Sequence, residues 1–154
     1  MFITHLLGGI FSIVYFGSFL GISSDSNQSV VAIIVAAVFA LLPDIDTVKS
    51  KAGRKLQPFS TIAAFVFRHR GFLHSFVLAA LVYFGMRYLF SQAIAAAAAI
   101  GYSSHLLLDA MTKEGIMPFS PFLKSRVKGF VRTGSFLEQL ILVAMAFLLL
   151  LKLV

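Results

Sequence analysis

The sequence contains no cysteine. Disulfides and thiolate metal ligands are thereby excluded, and any metal site must be assembled from His, Asp, Glu, backbone carbonyls and water. Charge is also scarce: only 12% of the residues are Asp, Glu, Lys or Arg. Soluble domains carry about a quarter. Acids are scarcest, six against thirteen Lys and Arg, which leaves a formal charge of +7. With 59% hydrophobic residues and a mean hydropathy of +0.94 over 154 residues, a soluble domain could not hide its apolar surface. The composition places the chain in a membrane, as one embedded domain over residues 1–154. The basic excess then reads as topology and not as a nucleic-acid footprint, so no nucleic-acid partner is expected. The start, Met1–His5, has no Lys or Arg, and no small-residue cleavage site closes the first apolar run, so no cleaved signal peptide is expected.

Five apolar runs follow one another: Leu6–Ile22, Val30–Leu42, Phe76–Phe90, Ala93–Met111 and Phe136–Val154. They predict an all-α, polytopic membrane protein with about five transmembrane helices. Short interfacial helices accompany them. Thr61–Phe67 is apolar but too short to span, with Ser60 as a candidate N-cap. Thr112–Arg132, with two prolines and five basic residues, predicts a second interfacial segment. Glycines 8, 9, 17 and 21 allow close helix approach in the first run.

Eleven of the thirteen Lys and Arg lie after the second and fourth runs; Arg87 and Lys152 are the exceptions. Both loops share a side with the N-terminus, and the positive-inside rule makes that side cytoplasmic. His5 opens run one, Asp44 and Asp46 close run two, His69 and His74 precede run three, His105 and Asp109 close run four, and Glu138 begins run five. All four histidines and five of the six acids therefore fall on one side, in one layer.

That layer reads as a metal site with ligands from His5, Asp44, Asp46, His69, His74, His105 and Asp109. His105 and Asp109 are four apart and share a helix face. The pair suits a divalent ion such as Zn, Mn or Mg, or else a simple His–Asp hydrogen bond at a helix end. Asp44 and Asp46, two apart in a turn, can reach one cation or two neighbouring ones. Acids at a helix C-terminus oppose its dipole, which favours a bound cation over a merely solvated end. If a helix begins at Arg70, that residue and His74 share a face too. Arg70, with Arg68, suits a phosphate or carboxylate by bidentate hydrogen bonds; interfacial anchoring to anionic lipid is the other reading. Ser75 lacks a Gly-x-Ser-x-Gly setting and reads as a hydrogen-bonding residue at the substrate. Glu138 is expected either to orient a ligand from behind or to partner Arg132.

These residues together resemble the YdjM-like, LexA-regulated, membrane-bound metal-dependent hydrolases. The resemblance covers nearly the whole chain. It rests on His5, Leu42-Pro43-Asp44-Ile45-Asp46, His69-Arg70-Gly71 with His74-Ser75, His105-x-x-x-Asp109 with Thr112 and Gly115, and Arg132-Thr133-Gly134-Ser135 with Glu138. Leu73 stands where the family pattern often has Thr. The order of His and Asp is also similar to that of zinc-dependent phospholipase C, although further histidines of those enzymes are missing. The resemblance implies an inner-membrane, multi-pass hydrolase with one or two divalent ions, zinc first among them. Its substrate would be a lipid-like phosphoester cut at the cytoplasmic face. Asp46 or Glu138 would act as base, Arg70 would serve catalysis by holding the phosphate, and Arg68 and Ser75 would assist binding. The alternative from another class is a non-catalytic metal-binding or ion-handling membrane protein. Membrane lipid is the other expected partner; the oligomeric state is not legible.

Overall fold

A computed structural model describes residues 1–22, 26–46 and 71–153. Among them are five α-helices: α1 (Phe2–Phe16), α2 (Ser26–Phe39), α3 (Phe76–Leu89), α4 (Gln92–Ala110) and α5 (Phe136–Leu153). The all-α architecture read from the apolar runs is the one the chain adopts. Stretches 2–20, 27–44 and 92–110 are long and apolar enough to cross a bilayer, and α3 is a shorter apolar helix. Large side chains on the outer faces are exposed, among them Ile34, Phe84, Val143 and Phe147. A continuous apolar exterior of this kind needs lipid as its solvent.

The helix α4 is the centre of the bundle, in contact with α1, α2 and α3, while α5 packs on α1. Small residues make this arrangement feasible. Ala95 to Ala98 are all buried along α4, and Ala32 and Ala36 on α2, with Ala40 just past its end, form a buried stripe at four-residue spacing. Gly101 of α4 lies directly against the Ala36 backbone, and Gly9 of α1 fits beside Ala40, whose Cβ would stand 2.7 Å from a Cβ at position 9. Backbones that approach this closely gain dispersion contacts, which replace a hydrophobic driving force inside lipid.

Three local outcomes differ from the sequence expectation. The helix α2 starts earlier than its apolar run, so Asn27, Gln28 and Ser29 are helical; their inclusion brings a short run nearer to spanning length. The helix α3 begins only at Phe76. Ser75 caps it, accepting from the Leu78 N–H at 3.3 Å, and residues Phe72–His74 form one 3-10 turn before it. His74 therefore lies in this turn and not on α3, and Arg70 lies outside the described residues. The segment after α4 is extended rather than helical and doubles back on itself. Ile116 and Val127 exchange two backbone hydrogen bonds of 2.9 Å, and the Gly129 N–H donates to the Thr112 carbonyl at 2.8 Å. Gly115 turns the chain at φ +65, a conformation with little cost only for glycine. The expected interfacial helix at Thr61–Phe67, with its Ser60 cap, lies outside the described residues.

The 3-10 turn Leu42–Asp46 closes the α2 end. Contacts between His5, Asp44, His74, His105 and Asp109 show that the α1 and α3 starts and the α2 and α4 ends meet at one end of the bundle. The α5 start joins them there through Thr4 and Glu138.

Candidate metal centre

The site is built around the Asp109 carboxylate, in the last turn of α4. Its Oδ1 lies 3.4 Å from His5 Nε2, and its Oδ2 lies 3.5 Å from His74 Nε2 and 3.7 Å from His105 Nε2. Three imidazoles from three segments thus aim the same ring nitrogen at one carboxylate. These four side chains are at most 2% exposed. Asp44 stands on the rim, 21% exposed, with its Oδ1 at 4.0 Å from His105 Nε2.

Two geometries give the reference distances. A hydrogen bond between an imidazole and a carboxylate settles near 2.7–3.2 Å. Donor atoms about 2.0–2.1 Å from a shared tetrahedral ion stand roughly 3.3–3.4 Å apart. The observed spacings, 3.4–3.7 Å, are longer than such a hydrogen bond and nearer to the spacing of donors around an ion. Two sets of donors lie within mutual reach for an ion, His74–His105–Asp109 and His5–Asp44–His105.

Orientation of His105 supports the same reading. Its Nδ1 sits 2.7 Å from the Ala40 carbonyl oxygen. A carbonyl can only accept, so Nδ1 carries a proton, and the tautomer this selects has its lone pair on Nε2. Ligating histidines are typically held this way, by a hydrogen bond on the far nitrogen. Nε2 of His105 is buried and makes no hydrogen bond among the described residues, and the same holds for His5 Nδ1. The His5 and His105 rings stack, with centroids 3.8 Å apart and planes 20° apart.

Neighbouring groups fix the frame. The buried Tyr102 donates its hydroxyl to the Leu73 carbonyl, within the turn that carries His74. Thr112 donates to the Asp109 carbonyl at 2.7 Å and accepts from the Gly115 N–H at 3.2 Å, securing the α4 end. Ala40 and Tyr102 were not legible as site residues. The available signal for Tyr102 was its spacing, three residues before His105 and seven before Asp109, on one face of an alanine-rich helix.

Two expected site residues occupy other positions. Ser75 Oγ donates to the Phe72 carbonyl at 2.7 Å besides capping α3, so its hydroxyl serves the turn. The Glu138 carboxylate accepts from Thr4 Oγ1 at 2.8 Å, from the Met1 amine at 2.9 Å and from the Gly134 N–H at 2.6 Å. It ties α1 to the start of α5, with Gly134 at φ +79 presenting its amide. Arg68, His69, Arg70 and the Asp46 side chain lie outside the described residues.

Residues 1–153 match the family described as YdjM inner membrane protein. A relative from Bacillus subtilis (strain 168), named uncharacterized protein YvsG, is 38% identical over 141 residues, covering 90% of this chain and 85% of that one. Inner membrane protein YdjM from Escherichia coli (strain K12) is 40% identical over 87 residues, which cover 53% of this chain and 44% of that protein. Its Shigella flexneri counterpart gives the same identity and coverage. No solved structure matches. The His5, Asp44, His74, His105 and Asp109 cluster accordingly belongs to a chain that is a member of the YdjM inner membrane protein family.

Proposed function

We propose that this chain is a metal-dependent membrane hydrolase acting on a lipid-like phosphoester, with its site at the cytoplasmic face. The supporting observation is the set of three buried imidazoles around the Asp109 carboxylate, at 3.4–3.7 Å. Nitrogen and oxygen donors without thiolate suit zinc, with manganese or magnesium as alternatives. Both donor sets draw on the same Nε2 of His105. Its other nitrogen is committed to Ala40, so it can serve one ion only. The described donors therefore favour a single ion, and a second would depend on His69 or Asp46.

Asp44 is the most exposed of the five donors, and in this reading water and substrate enter on its side. A divalent ion bound here supplies a water of lowered pKa and polarises a phosphoryl oxygen. His74, His105 and Asp109, with His5 beside them, would hold such an ion. Asp44, or Asp46 two residues on, accepts the proton from the attacking water. Arg70, with Arg68, clamps the phosphate by its planar guanidinium. The polar groups form one layer, and the α2–α4 contact beyond it is built from Ala32, Ala36, Ala96 and Ala97. An ion pathway would need polar groups through the membrane depth.

The test is metal analysis of the purified protein, followed by a screen of soluble and lipid phosphoesters. About one divalent ion per chain is expected, with turnover lost on chelation and restored by zinc or manganese. Metal without turnover on any phosphoester would leave a non-catalytic metal-binding protein. Absence of tightly bound metal under all loading conditions would sink the reading outright. Orientation has its own check: a reporter fused after Lys124 should read cytoplasmic, and an external reading would reverse the face assigned to the site.

A further inference from the structure

The doubled-back segment between α4 and α5 has a composition that the metal centre does not use. Its backbone hydrogen bonds are directed inward, between residues 111–116 and 127–131. Side chains at its tip and on its returning arm are exposed: Phe119 is 53% exposed, Phe122 78% and Phe130 71%. Lys124, Arg126 and Lys128 are exposed between them. No acid occurs from Gly115 to Leu137. Arg126 donates one N–H to the Glu114 carbonyl at 3.3 Å, and the Glu114 carboxylate is engaged by Thr133 Oγ1 at 3.4 Å. The segment thus presents a cationic and aromatic surface, with Glu114 near its start as its one acid.

We propose that this surface docks on anionic phospholipid headgroups of the bilayer that holds the helices. Phe119, Phe122 and Phe130 enter the boundary between headgroups and acyl chains, and Lys124, Arg126 and Lys128 lie over lipid phosphates. Two observations select lipid as the occupant. The segment leaves α4 at Ala110 and enters α5 at Phe136, so both of its ends are fixed at the same end of two membrane helices. Its charge is complementary to an anionic leaflet, and the aromatic rings interleaved with that charge match the chemistry of an interfacial segment. The inference stands apart from the metal reading, since none of these six residues touches the His–Asp cluster.

The experiment uses the full chain with Phe122→Trp, reconstituted in vesicles of phosphatidylcholine with or without phosphatidylglycerol. The sequence has no tryptophan, so the new indole reports alone. Lipids brominated high on the acyl chain should quench its emission, more strongly when phosphatidylglycerol is present. Phe130→Trp repeats the measurement in case the first variant folds poorly. Replacing Lys124, Arg126 and Lys128 together by Gln should lower the preference for phosphatidylglycerol by about tenfold or more, since each cation near an anionic surface contributes about fivefold. Water-like, unquenched emission from both probes would overturn the proposal. So would an unchanged lipid preference in the triple variant. Displacement of phosphatidylglycerol by a short oligonucleotide would reassign the surface to nucleic acid.

Discussion

Replacing Asp109 by Asn should strip the protein of most of its divalent metal. Asp109 faces all three imidazoles, at 3.4, 3.5 and 3.7 Å, and an amide of the same shape offers no negative oxygen to an ion. Loss of a group that merely orients a ligand already lowers metal affinity about 10–100-fold, so removing the central carboxylate should exceed about 100-fold. His105→Ala should behave alike, because both candidate donor sets depend on its Nε2. The measurement is metal content after dialysis against a weak chelator, with helicity by circular dichroism to confirm folding. Unchanged metal in both folded variants would remove α4 from the site, and the reading of the His–Asp cluster would go with it.

The second large effect concerns packing. A Cβ at position 101 would overlap the backbone of Ala36, where no side chain can rotate away. Helices α4 and α2 would have to separate along their whole contact. Overpacking of a filled core costs about 1–3 kcal/mol, and Gly101→Val, with two further methyl groups, should exceed Gly101→Ala. Gly85 on α3 is the internal control: nothing lies within 4 Å of a Cβ built there. Gly85→Ala should be neutral or stabilising, by up to about 1 kcal/mol from helix propensity. Unfolding in mixed micelles compares the three. Equal behaviour of the position 101 and position 85 alanine variants would show that the α2–α4 contact is looser than the distances imply.

The five apolar runs were legible because bilayer-facing and buried residues are both apolar, so run length alone separates helices from connections. The convergence of His5, Asp44, His74, His105 and Asp109 was legible for a related reason. Alternate helices reverse direction, and residues at the ends of successive runs must then return to the same end. Finer features required three-dimensional information. The late start of α3 was signalled by Ser75 before an apolar run, yet Arg70 and His74 at helical spacing pointed the other way. The 3-10 turn prevails because Tyr102 holds the Leu73 carbonyl. The doubling back after α4 depends on Gly115 and on Gly129 fitting against Met111, and contacts across a loop leave no periodicity to read. Ala40 contributes a carbonyl, which every residue has, so no side-chain pattern could have marked it. Glu138 was visible as an acid among the site residues, but its three donors, from α1, the chain start and Gly134, were not.

The central position of α4 also sets an order in time. The contacts of α3 with the rest of the bundle run chiefly through α4, and α1 and α2 can pair with each other before α4 exists. His5 and Asp44 are made early, whereas His105 and Asp109 lie at the far end of the fourth helix. Roughly a hundred residues separate the first donor from the last, which is about 5–20 s of synthesis at bacterial rates. Throughout that interval neither candidate donor set is complete, because both need His105. Donor completion therefore coincides with the insertion of the helix that closes the core.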